Sequence, residues 1–128
     1  MAHIPIDAVP YLEAAIYLPM LLIVLDKDYE QIEAGQFKLK SPYFHLIETA
    51  RKIAVEDLSK TKAYMSHHQL KVVRGNHDEM FTEYYFYVQQ AMEVRRYSNI
   101  RLRNKVEDLM NYYLKQASKD FKEVCLFE

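Results

Sequence analysis

Apolar residues concentrate near the start of the chain, in residues 8–25 (AVPYLEAAIYLPMLLIVL), where Glu13 is the only charge. Residues 16–25 put apolar, Tyr or Pro side chains on every side of a helical wheel, so the helix they predict must be surrounded by protein. Asp7 is the expected N-cap, and Pro10 falls in the first turn, where a missing N–H is tolerated. Pro19 predicts a kink or a restart. Leu25, Tyr29 and Ile32 continue the helical spacing until Ala34-Gly35 stops it, which gives a first unit of about 8–34. Ser41-Pro42 then reads as an N-cap followed by proline. The stripe Phe44, Ile47, Ala54, Leu58, Met65, Val72 predicts a second helix towards Arg74, about 50 Å long at ~1.5 Å per residue, with a break expected near Ser59-Lys60-Thr61.

Gly75-Asn76 reads as one helix ending and another starting, with Gly75 at positive φ, Asn76 as N-cap and Glu79 completing a capping-box pair. Met80, Tyr84, Tyr87, Val88, Ala91 and Val94 then form a helical stripe, with Phe86 the exception on the polar side. A competing reading makes 70–74 and 80–88 the strands of a hairpin turning at Gly75-Asn76, because both runs are rich in β-formers and Met80, Thr82, Tyr84, Phe86 and Val88 alternate. Ser98 or Asn99 is the expected cap of a last helix carrying Leu102, Val106, Leu109, Met110, Tyr113, Ala117 and Phe121. The apolar tail 124–127 is expected to dock on the body. The fold expected is all-α, a single compact bundle of three to four helices over residues 1–128; the alternative is α+β with a short hairpin at about 70–88.

Composition narrows the setting. One hydrophobic core suits 128 residues. With 17 Lys and Arg against 18 Asp and Glu, no global field draws the chain to nucleic acid or an anionic membrane. The lone Cys125 excludes an intramolecular disulfide and suits the cytoplasm. No Lys or Arg precedes the opening apolar run, and only twelve uncharged residues follow Glu13, short of the ~20 of a membrane span. The expectation is a buried helix, with neither a signal peptide nor a membrane partner.

Three features bear on chemistry. Gly75-Asn76-His77-Asp78-Glu79 resembles one metal-binding element of the calcineurin-like metallophosphoesterases, in which the Asn ligates a metal and the His faces a phosphate. The Asp-x-His, Gly-Asp-x-x-Asp and Gly-His segments that complete such a two-metal site do not occur in this chain. His67 and His68 are adjacent, about 100° apart on a helix, and no Glu lies three residues before any histidine, so no metal and no cofactor is expected. Cys125, in an apolar setting, is not a candidate nucleophile.

The second feature is a run of five cations, Arg95, Arg96, Arg101, Arg103 and Lys105, without an acid among residues 95–105. It is the candidate polyanion surface, with Tyr97 available for stacking. The third is the tyrosine content, eleven residues, with Tyr84, Tyr85, Phe86, Tyr87 and Tyr112 as interface candidates, since tyrosine joins apolar area to a polar tip. The expected function is that of a small, non-enzymatic helical interaction protein that binds another macromolecule, a protein partner or a second copy. The alternative is a nucleic-acid-binding regulator using residues 95–105.

Overall fold

A computed structural model describes residues 4–127. A 3₁₀ turn, Ile6–Ala8, leads into helix α1 (Val9–Ala34), followed by α2 (Ser41–His67), three strands β1 (Leu70–His77), β2 (Phe81–Val88) and β3 (Ala91–Ser98), and helix α3 (Asn99–Ser118). The long apolar helix is central: Leu12, Ile16, Leu18, Leu21 and Leu25 are buried among Ile47, Ala50, Ala54 and Met65 of α2 and Leu102, Val106, Tyr113 and Ala117 of α3. Its enclosure is not complete, because Ile23 is 56 % exposed. By length and composition alone residues 6–34 could also cross a membrane.

Helix α1 runs continuously through Pro19, and no side chain caps it, Asp7 included. Nor is α2 broken at 59–61. Thr61, a polar residue on the buried stripe, donates its hydroxyl to the Asp57 carbonyl at 2.8 Å and is therefore satisfied within its own helix. The helix ends earlier than Arg74 because Gln69 takes φ 55°. That left-handed residue reverses the chain without a glycine.

Residues 70–98 depart from the helical expectation. They form a three-stranded antiparallel sheet in the order β1-β2-β3, so the protein is α+β and not an all-α bundle. The hairpin alternative names the right kind of structure, but the sheet has a third strand, and the first turn lies at residues 78–80. There the Asp78 carboxylate accepts the N–H groups of Met80 and Phe81, both at 2.8 Å, and these bonds hold its pKa below the usual carboxylate value. The Asp78 N–H in turn donates to the Phe81 carbonyl at 2.9 Å. The second turn is the two-residue connection Gln89-Gln90, with Gln89 at φ 53°.

Gly75 is neither a helix terminator nor at positive φ, and Asn76 caps nothing. Gly75 lies within β1 because the Tyr85 ring crosses it: a Cβ there would sit 2.6 Å from Tyr85 Cε2. Burial along β2 shows why strand prevails over helix. Thr82, Tyr84 and Phe86 are buried and the residues between them are not, a period of two that a helix would scatter around its circumference.

The start of α3 agrees with expectation, since Ser98 Oγ accepts the Arg101 N–H at 3.0 Å. Asn99 ties this helix to the first turn: its Oδ1 accepts the Thr82 hydroxyl at 2.7 Å, and its Nδ2 donates to the Asp78 carbonyl at 2.9 Å. The tail does not dock, because Val124, Leu126 and Phe127 are 76 %, 80 % and 94 % exposed.

Candidate functional site

The strand alternation divides the sheet into two chemically different faces. Leu70, Tyr84, Phe86 and Tyr97 point inward and join the helical core. The register places Lys71, Val73, Phe81, Glu83, Tyr85, Tyr87, Met92, Val94 and Arg96 on the opposite face. The sheet residues that join or pack against the helical core, Val72 and Val88 included, all belong to the inner set, and none of Val73, Tyr85, Tyr87, Met92 and Val94 does. Val73, Met92 and Val94 are 37 %, 53 % and 49 % exposed, and with Tyr85 and Tyr87 they form a continuous aliphatic and aromatic surface. Lys71 lies 6.0 Å from the Tyr87 ring centroid and Arg96 3.9 Å from that of Phe81. The two cations flank the surface without interrupting it.

The interface candidates therefore separate. Tyr84 and Phe86 are core residues, 5 % and 0 % exposed, whereas Tyr85 and Tyr87 belong to the outer face. Tyr112, 51 % exposed, lies on α3, with its ring 5.0 Å from that of Tyr113.

The five cations also separate. Arg95 faces inward, 3.4 Å from Glu93 Oε1 and 5.4 Å from the Phe86 ring; the charges are close, but the geometry leaves Nε without a hydrogen bond. Arg101 pairs with Glu13 at 3.6 Å and lies over Tyr97. Arg96 is on the outer face. Arg103 borders an open cleft of about 620 Å³ together with Arg74 and His77. Lys105 borders a separate cleft of about 550 Å³ whose lining also holds Glu13, Asp57 and Asp108. The chain does turn at Ser98-Asn99, from β3 into α3, yet it carries these cations to different sides of the molecule. They form no single positive surface.

Glu13, the lone charge of the opening stretch, partners two tyrosines. Its Oε2 accepts the Tyr97 hydroxyl at 2.8 Å and lies 3.5 Å from that of Tyr17. Asp57 accepts the Tyr113 hydroxyl at 2.7 Å in the same way. Burial above all, and then the adjacent carboxylate, pushes the pKa of Tyr97 and of Tyr113 well above that of free tyrosine. Sequence reading missed this network because its pairs are 84 and 56 residues apart; the one signal available was a charge with no other charge near it. No group of three or more His, Cys, Asp or Glu side chains able to hold a metal occurs among the described residues.

Fold and surfaces together define an α+β domain in which a long helical hairpin and a C-terminal helix back one face of a β-meander and leave the other bare. The chain belongs to the YhjD family: residues 3–118 match the family described as YhjD protein, a match that ends where α3 ends. The chain is also 36 % identical over 103 residues to a Bacillus subtilis (strain 168) protein named "Uncharacterized protein YhjD", an alignment that covers 80 % of this chain and 86 % of that one. No solved structure matches.

Proposed function

We propose that this protein is a non-enzymatic binding module that contacts protein through the outer face of its sheet, and that the partner this face fits is a second copy of the chain. The observation that supports the reading is the uncovered surface of Val73, Tyr85, Tyr87, Met92 and Val94, since water-facing sheet faces normally alternate to polar residues. Three strands ~4.8 Å apart and about eight residues long at ~3.3 Å each present roughly 400 Å². Contiguous apolar patches of that size on soluble proteins are frequently functional.

The centre is uncharged, while Lys71 lies near one end of the strands and Glu83 and Arg96 near the other. Two such faces stacked about a twofold axis with strands antiparallel bring Lys71 of each copy towards Glu83 of the other. Because roughly 400 Å² falls short of the ~800 Å² per partner of a standard interface, the dimer is weak and depends on concentration. Nucleic acid fits the face less well. The Phe81 ring is already covered by Arg96, and aliphatic side chains occupy places that stacking platforms give to rings.

Sedimentation velocity over about 1–200 μM, a range spanning weak dimers, is expected to show reversible dimerisation. Met92→Glu combined with Val94→Asp should weaken it about tenfold or more while the circular dichroism spectrum is unchanged, because both residues are exposed in the monomer and the new charges would be buried unpaired. A wild type that stays monomeric throughout defeats the second-copy reading. Retention of single-stranded DNA or RNA at ~50 mM salt with a steep salt dependence would move the face to nucleic acid.

A further inference from the structure

The cleft beside Arg103 combines features that neither the core nor the outer face uses. Met20 and Val24, four residues apart on α1, form one apolar wall, and Leu102, Val106 and Met110 form the other along α3. Residues 102–110 span about 12 Å at ~1.5 Å per residue. The lining contains no Phe or Tyr, although the chain has 17 such residues, 11 Tyr and 6 Phe. Aliphatic and thioether walls suit a flexible alkyl chain better than a flat ring that needs a stacking partner.

One end of this hollow is positive. Arg74 and His77, from the end of β1, meet Arg103 and the N-terminal turn of α3, whose helix dipole adds charge of the same sign. Among the described residues neither Arg74 nor Arg103 has a carboxylate within 4.0 Å. Glu107, one turn beyond Arg103 in the lining, leaves the two guanidiniums in excess. At about 620 Å³ the cleft falls within the ~300–1,000 Å³ of small-molecule sites.

We propose that this cleft binds a single-chain amphiphile with an anionic head, the alkyl chain lying between α1 and α3 and the carboxylate or phosphate held by Arg74 and Arg103. Guanidinium forks match both head groups in bidentate geometry, and His77 adds a third donor. The site lies on the inner side of the sheet, so it is distinct from the outer face and does not depend on that reading.

Isothermal titration calorimetry of the full chain with dodecanoate, dodecyl phosphate and dodecyltrimethylammonium, each below its micellar concentration, tests the assignment. One saturable site is expected for an anionic probe, at least about tenfold tighter than for the ammonium, as one charge-assisted contact implies. Arg74→Gln with Arg103→Gln, both exposed and so compatible with folding, should lose that preference, whereas Met92→Glu with Val94→Asp should leave it intact. Tighter binding of dodecyl phosphate assigns a phosphate head, and tighter binding of dodecanoate a carboxylate. Absence of saturable binding by either anion, equal affinity for the ammonium, or a double arginine variant indistinguishable from wild type overturns the proposal.

Discussion

Phe86→Ala is expected to cost about 3–5 kcal/mol, the range for emptying a fully enclosed aromatic position, a large share of the ~5–15 kcal/mol that holds a domain folded. Phe86 is 0 % exposed at the centre of β2, where it packs against helices as well as strands. Tyr85→Ala, one residue earlier but on the outer face, should cost much less, because that ring lies over Gly75 at the surface. Urea unfolding of the two variants gives a direct reading of the strand alternation. A helical 80–94 segment with Phe86 on its polar side would reverse the order, making Phe86→Ala mild.

Alkaline solution should unfold the protein earlier than its near-neutral charge suggests. Tyr97 and Tyr113 are each 4 % exposed, and burial followed by hydrogen bonding to Glu13 or Asp57 raises both pKa values in the folded state. Burial raises those of Tyr17 and Tyr84 as well. In the unfolded chain tyrosine ionises near pH ~10. The unfolded state therefore releases protons that the native state retains. The stabilisation is fully present below pH ~10 and declines as pH rises towards the folded-state values, by at most about 1.4 kcal/mol per pH unit for each such tyrosine. Urea midpoints should fall between about pH 9 and 11, and Tyr97→Phe with Tyr113→Phe should flatten the decline at the expense of lower stability at neutral pH, where each removes a buried hydrogen bond. A midpoint independent of pH over that window would contradict the Glu13 and Asp57 pairings.

The helices are written largely in local chemistry. Residues 8–34, the Pro42 start and the Ser98 cap are legible because prolines, caps and 3.6-residue periodicity act within a few residues of one another, although Ser41, expected as an N-cap, is the first residue of α2 and its side chain caps nothing. The tyrosine cluster and the run of cations stand out in the sequence, but neither which of them reach the surface nor how they group is legible there, since Tyr84 and Phe86 are buried. Residues 70–98 are another matter. The same β-branched and aromatic run satisfies a helical stripe and a strand alternation, and the choice falls to strand because Tyr84, Phe86 and Tyr97 reach the apolar faces of α1 and α3 only in an extended chain. That benefit exists only once the helices have assembled, which is why local propensity and the Gly75-Asn76 signal mislead. The five cations part company for the same reason: Arg95 and Arg96 alternate across a strand while Arg101, Arg103 and Lys105 radiate from a helix. Local signals were enough for α1, for the start of α2 and for α3, because prolines, the Ser98 cap and helical periodicity are short-range, but they also promised a helix at 80–94 that does not form. The sheet, its outer face and the cleft at Arg74 and Arg103 follow from tertiary packing, because each joins residues far apart in the chain and the assembled core alone lowers the energy of that arrangement.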